Sequence, residues 1–440
     1  MRYCMDNRVE DHDTAILLLD KIKHLRNDIE FLNWQAMLEF ECKRYKRAFQ
    51  TSEKILDELK NAATYFNAGR AAYKANELEK SELYLRKSIE LNPHDTSLLL
   101  DYSITICSMG EFDKALEIIE GINVNTLDYK HKKIVDFNKG WHYIRKNDFK
   151  KGMELINVGR EIGIWGSGHN YNKPKWDGSI QPGKTILIAG EAGIGDEIIN
   201  SRFSENIKNL GMNCIMSTVH NNISMLSSVK TLDKVIDYTE INNTEYDYYV
   251  PCMDIPYVMK LDIDDIPSKK YLYSKQEYVD KYKDIIKTDK KLKVGIRYMG
   301  NPRFELELGR TIPVELFESL NELDVQLYSL QKNDGIENMK LPKDVIDLEE
   351  HLNSWDDTLG IIENLDLVIT SCTSVAHASA ALGKKTFVVV PLLPYYTWSN
   401  MEKNSYWYDS VTVYRQQKYN SYVEPFIEIK NDLASLLSKI

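Results

Sequence analysis

Two hydrophobic rhythms divide this chain. Up to about residue 160, apolar residues recur at helical spacing in segments such as TYFNAGRAAYKANE and ELYLRKSIELNP, the pattern of helices that bury one face. Beyond residue 184, apolar runs of four or five residues alternate with helical stretches, at 185–189, 214–218, 247–250, 294–297, 325–329, 367–370 and 386–390. That alternation predicts parallel α/β structure. Between the two lies 164–184, IWGSGHNYNKPKWDGSIQPGK, whose Gly, Pro, Asn and Trp content breaks helices. A lysine-rich stretch, 280–293, parts the strands into two groups. The expected organisation is therefore α + α/β: helices over 1–163, a linker over 164–184, and sheet-forming halves over 185–288 and 289–440. The last helix, near 427–440, is expected to pack back on the first half.

The helical part repeats itself. CKRYKRAF around Tyr45, ANELEKSE around Leu78, MGEFDKAL around Phe112 and KNDFKKGM around Phe149 share one pattern, with the large residues 33, 34 and 37 positions apart. Three positions beyond each comes a small residue: Ala48, Ser81, Ala115 and Gly152. A large residue opening a second helix, with a small one a turn later, lets paired helices cross closely. With Asn67, Gly69, Ala72, Tyr73, Tyr84 and Pro93, the period and pattern over about 13–160 resemble the tetratricopeptide repeat family. The resemblance implies a curved helical stack whose concave face docks a protein, a peptide or a second copy. A rigid spacer is the alternative.

Two loops carry candidate chemistry. In TILIAGEAGIGDEI, residues Gly190, Gly193 and Gly195 join a strand to a helix starting near Asp196. Gly190 and Gly195 have the glycine spacing of a P-loop, but a P-loop then needs Lys and Ser or Thr to hold phosphate and magnesium. Asp196 and Glu197 stand there instead, and two carboxylates repel phosphate. The G-x-G-x-x-G order of a dinucleotide site is also absent. What remains is a tight loop presenting Asp196, either as a general base facing a cleft or as a cap of its own helix. In DLVITSCTSVAHASAALGKKTFVVVP a strand ends at a polar turn (Ser371, Cys372, Thr373, Ser374), followed by a small-residue helix and a second strand. The helix N-terminus offers free N–H groups and a favourable dipole to a phosphate. Ala376, Ala378, Ala380 and Ala381 keep the helix thin against the sheet. A crossover without a ligand is the alternative.

Composition narrows the classes. The 440 residues suit two to three domains, and 43% hydrophobic content can build real cores. A net charge of −10 argues against nucleic-acid or anionic-membrane binding. Six scattered cysteines without a CxxC pair indicate neither zinc nor a disulfide framework, and fit a reducing cytoplasm. The N-terminus MRYCMDNRVEDHD has no apolar core, so no signal peptide is expected. With no apolar run of 18 residues, no membrane span is expected either. Asp262 and Asp264 read as a solvated loop patch. With no Asp-x-Asp following a strand, no metal is expected.

Taken together, the motifs of the α/β part are similar to heptosyltransferase-like glycosyltransferases. These are relatives of the ADP-heptose lipopolysaccharide heptosyltransferases and, more distantly, of the protein O-GlcNAc transferases. The likeness runs through PKWDGSIQPGKTILIAGEAGIGDEI (174–198), VGIRYMGNP (294–302), GRTIP (309–313), YSLQKNDG (328–335), DDTLGIIENLDLVITSCTSVAHASAALGKK (356–385), YYTWS (395–399) and SYWYDSVTVYRQ (405–416). It implies a GT-B fold of two Rossmann-like domains, acceptor on the first and nucleotide-sugar on the second. Asp196, beyond Gly193 and Gly195, matches the family's proposed base. Thr373, Ser374 and Val375 match the turn whose amides hold the donor diphosphate. His377 follows a turn later, contacting phosphate or sugar or packing in the core. Asn301 and Arg310 match positions near the donor phosphates, where a guanidinium can neutralise departing charge; a surface ion pair is the other role for Arg310. Ser329, Leu330 and Gln331 end a strand where this architecture holds the nucleoside. Glu191, Arg202, Trp398 and Arg415 match without a derivable role.

One departure stands out: many relatives carry Asp before the Thr-Ser of that turn, and this chain has Cys372. The resemblance implies an inverting, metal-independent and cofactor-free transfer of sugar from a nucleotide-diphosphate donor to a hydroxyl of a glycan or protein acceptor. The repeats would recruit the acceptor or a protein partner. The alternative, fed by Cys372, is a non-catalytic scaffold that retains a nucleotide-binding fold.

Overall fold

The computed structural model describes residues 12–22, 28–164, 166, 169–301, 307–332, 340–399 and 402–440. The start of the N-terminal segment (1–11) and the motif ends Pro302 and 333–335 lie outside the described residues. The chain divides after Asn138 into two compact units, 1–138 and 139–440. Helices of at least eight residues are numbered below. Among the described residues no helix is long and apolar enough to cross a membrane.

The first unit holds α1 (His12–Ile22), α2 (Ile29–Glu41), α3 (Tyr45–Glu58), α4 (Ala62–Lys74), α5 (Leu78–Leu91), α6 (Thr96–Ser108) and α7 (Phe112–Glu120). The division falls inside α8 (Tyr129–Arg145), and α9 (Phe149–Glu161) follows. The repeat seen in the sequence is a repeat of one turn. Lys43, Asn76, Gly110 and Asn147, each two positions before its large apolar residue, all adopt φ between 58° and 89°. The next N–H then reaches back five residues, from Arg44 to the Glu39 carbonyl, Glu77 to Ala72, Glu111 to Ile106 and Asp148 to Tyr143, at 2.8–3.2 Å. This closes the last carbonyls of the first helix in the manner of a left-handed C-cap. The small residues do what their spacing predicts: Ala48, Ser81 and Ala115 are buried. A Cβ on Gly152 would stand 2.8 Å from the Gly140 carbonyl oxygen and the Ile144 nitrogen, so only glycine permits that crossing.

The second unit carries two all-parallel sheets. The first has β1 (Thr185–Ala189), β2 (Asn213–Thr218), β3 (Lys234–Asp237) and β4 (Tyr248–Pro251) in the order β3-β2-β1-β4. The second has β5 (Leu292–Arg297), β6 (Val325–Ser329), β7 (Ile346–Asp347), β8 (Leu367–Ser371), β9 (Thr386–Val390) and β10 (Val411–Arg415) in the order β10-β9-β8-β5-β6-β7. The α/β class read from the sequence is the one observed. All seven expected strands form. β3, β7 and β10 were not expected, because KVID and the two-residue β7 are too short and too polar to stand out, and VTVYR follows a loop rather than a helix.

Helices α10 (Ile194–Ser201), α11 (Trp355–Asn364), α12 (Ser374–Ala381) and α13 (Val423–Leu437) complete the framework. The expectation that the last helix packs on the first half is corrected. Phe426, Ile429 and Leu433 of α13 enter the core of the second sheet with Val294, Phe317 and Leu327, and Phe426 meets Phe317 edge to face at 4.9 Å. The apolar stripe of α13 covers a face its own sheet would otherwise expose.

Candidate functional site

Within the second unit, the loops at the C-terminal strand ends of both sheets line a cavity of about 1150 Å³. This is where open parallel sheets place ligands. Two short helices aim their N-termini at it. Strand β1 runs into the loop Gly190 to Gly193 and then α10. Gly190 lacks room for a side chain: a Cβ would lie 2.5 Å from both the Glu197 Oε1 and the Ser217 carbonyl oxygen. Ala192 sits at φ 59°, a strained choice for a residue with a Cβ. Facing this, β8 runs into the turn at Cys372 and Thr373 and then α12. Gly195 brings the two helix ends together, with its missing Cβ 3.5 Å from the His377 ring and 3.7 Å from the Ser374 Cα.

Asp196 lines the cavity, half-buried, and both of its carboxylate oxygens are engaged. Oδ2 accepts from the Gly193 N–H at 3.0 Å, and Oδ1 accepts from the Tyr395 hydroxyl. The two roles considered for Asp196 are thus compatible: it caps α10 and also faces the cavity. Burial pushes its pKa above the ordinary carboxylate value, against the lowering effect of the Tyr395 and Gly193 hydrogen bonds. Glu197 points the other way, into a pocket where Thr218, Asn222 and Tyr238 donate to it.

The opposite wall carries the cationic side chains Arg297, Arg310 and Lys332. Thr373, Ser374, Val375 and His377 line it, and the Thr373 side chain makes no cap hydrogen bond to α12. Arg310 lines the cavity too and donates through Nη1 to the Cys372 carbonyl at 2.7 Å, fixing the turn from behind. Arg297 donates to the carbonyls of Met299 (3.2 Å) and Leu330 (2.8 Å), and Lys332 and Asn301 complete this side. Cys372 is buried and lines the cavity close to Tyr395. His377 is 3% exposed; its Nδ1 lies 3.1 Å from the Tyr408 hydroxyl, and its ring stacks on Trp398 at 4.9 Å. Burial, helped by Arg202 and Arg310, pulls its pKa down to about 3, so the ring is neutral at physiological pH.

Of the residues singled out in the sequence, Gly193, Gly195, Asp196, Asn301, Arg310, Thr373, Ser374, Val375 and His377 come together around one cavity. Ser329 and Gln331 do not. Each is 1% exposed and turned inward: Ser329 Oγ accepts from the Gln331 N–H and Gln331 Oε1 from the Met299 N–H. Side chains alternate along an extended segment, so the intervening Leu330 and the following Lys332 reach the cavity in their place.

The structure also gives work to residues that matched without a role. Glu191 anchors the glycine loop by accepting from Arg160 of α9 and from the Met253 N–H. Buried Arg202 donates to the carbonyls of Ile199, Pro267 and Trp407 under the rings of Tyr271 and Tyr408, joining the two sheet domains. Arg415 donates to the Trp398 carbonyl at 2.6 Å and so steadies the ring on which His377 stacks. Sequence reasoning missed Tyr395, Arg297, Lys332 and the first-sheet loop residues His220, Asn221 and Ser224. Tyr395, Arg297 and Lys332 lay in motifs quoted above without being singled out themselves, whereas His220, Asn221 and Ser224 lay in none.

No protein-family model and no curated protein matches the chain. Among solved structures, MamA (residues 41-end) from Desulfovibrio magneticus RS-1 is 19% identical, over 37% of this chain and 90% of that one, with a TM-score of 0.31. A glycosyl transferase family 9 protein from Veillonella parvula is 11% identical, over 60% of this chain and 92% of that one, with a TM-score of 0.40. The ADP-heptose lps heptosyltransferase II of E. coli is 11% identical, over 58% of this chain and all of that one, with a TM-score of 0.42.

Proposed function

We propose that this chain is an inverting, metal-independent glycosyltransferase that moves a sugar from a nucleotide-diphosphate donor to an acceptor hydroxyl. The observation that carries the proposal is the asymmetry of the cavity: one wall offers a half-buried carboxylate, and the other a helix N-terminus that Thr373 leaves without a side-chain cap, flanked by arginine. The residues 185–288 serve the acceptor and 289–440 the donor. Asp196 takes the proton of the acceptor hydroxyl as its oxygen attacks the anomeric carbon. The bond from that carbon to the diphosphate breaks on the opposite side, which inverts the centre. The charge left on the nucleoside diphosphate falls on the amides of Thr373, Ser374 and Val375 and on Arg310, groups already in place. A carboxylate raised by burial is a better base than a solvated one. The acceptor is a glycan or protein hydroxyl, and the helical repeats recruit it or a protein partner.

The test is a thermal-shift screen against nucleoside diphosphates and nucleotide-sugars, followed by transfer or hydrolysis assays on those that bind. A shift with one base, and turnover of its sugar conjugate, is expected. Binding without any turnover would support the scaffold alternative instead, and no binding by any nucleotide would remove the donor site.

A further inference from the structure

The hydroxyl of Tyr395 comes from the loop after β9, in the second sheet domain, and donates to Oδ1 of Asp196, in the first. Among the described residues it is the side chain that donates to this carboxylate; the other donor is the backbone N–H of Gly193. These two contacts leave each oxygen one acceptor position and fix the rotation of the carboxyl plane. We propose that Tyr395 is the positioning residue of the base, so that Asp196 is set for proton transfer only while the two sheet domains are together. This assignment rests on the transfer function proposed above.

The surroundings make that hydroxyl count. Around Asp196 stand Glu197 on its own helix, turned away into its own pocket, Cys252 after β4, Tyr396 beside Tyr395, and His377 and Arg310 across the cavity. Burial keeps Cys252, Tyr395 and Tyr396 protonated, and His377 neutral. Glu197 adds only repulsion. In so poorly solvated a place, a donated hydrogen bond is what favours the charged carboxylate.

The experiment compares the full chain with its Tyr395→Phe variant, labelled with 13C at aspartate carboxyls, the Asp196 signal being assigned by its loss in Asp196→Asn. The titration midpoint of Asp196 is expected to rise in Tyr395→Phe by about one pH unit, a tenfold tighter proton. The acid limb of any transfer activity moves the same way, with kcat falling and donor KM little changed. Tyr396→Phe is the control: that ring packs on Tyr395 at 4.6 Å, and its variant leaves the midpoint in place. Equal midpoints in the full chain and Tyr395→Phe, or an equal rise in both variants, would overturn the assignment. If no nucleotide-sugar is turned over by the unmodified protein, the transfer function fails while the titration still decides what Tyr395 does.

Discussion

The strand–turn–helix units β1–α10 and β8–α12 are built alike and chemically opposed. Both helices are eight residues long, follow a buried parallel strand and open onto the same cavity. Each N-terminus carries unpaired amides and the positive end of the helix dipole. In α10 the first turn holds Asp196 and Glu197, and Asp196 folds back onto the Gly193 N–H. The chain has supplied its own anion. In α12 the first turn has no acid, Thr373 makes no side-chain cap, and Arg310 adds positive charge beside the turn. Under the function proposed above, that turn takes an anion from outside, and the side chain three positions into the helix, Asp196 against Ala376, separates the unit that offers a base from the one that cradles phosphate.

The largest effect should come from removing the base. Asp196→Asn keeps the shape and the contact with Gly193, so nucleotide affinity stays within a few-fold by calorimetry. Transfer falls by about 10²–10⁴-fold, the usual contribution of a positioned general base. Loss of nucleotide binding together with unfolding would show that Asp196 is only a cap.

The second test gives α12 an anion of its own. Ser374→Asp places a carboxylate at the first position of α12, two residues before the position that Asp196 holds in α10. Nucleoside diphosphate affinity should fall about tenfold or more, through repulsion and loss of the open dipole. Arg310→Ala should do less, about threefold to tenfold by the same titration, because Arg297 and Lys332 remain on that wall. Unchanged binding in both variants would place the anion elsewhere.

The units differ also in how legible they were. Both turns stand out in the sequence because Gly190, Gly193 and Gly195, and the run Ser371 to Ser374, break strong apolar patterns. A short window contains everything needed to place Asp196 and Thr373. Tyr395, Arg297 and Lys332 reach the cavity from other strand ends, and no local spacing says that β1 and β9 loops will meet. Ser329 and Gln331 were chosen by position along a strand, and the pleat sent them inward. The terminal helix was misplaced because an apolar stripe tells that a helix is covered, not by which sheet. In the helical part the recurring turn made Tyr45, Leu78, Phe112 and Phe149 readable, since each repeat solves its own packing locally.

The smallest effect, and the one that separates the two helices without a ligand, is their response to acid. Asp196 has a folded pKa raised above its unfolded value, so burying it ionised is unfavourable above that folded pKa. As pH falls through it, the proton is bound more tightly in the folded chain, and stability contributed by α10 rises. His377 runs the other way. Its folded pKa is about 3 against an ordinary 6.5, so between these values the unfolded chain binds more protons. Stability from α12 is therefore full above pH 6.5 and declines below it; His142, pulled down to about 4 by burial, adds to the decline. Thermal melts of the full chain should show Tm falling as pH drops from 6.5 toward 4. In His377→Gln, where one buried imidazole fewer is charged on unfolding, that slope should flatten, while Asp196→Asn should steepen it. Parallel curves for all three proteins would mean that neither helix end carries the buried charge chemistry on which the contrast between them depends.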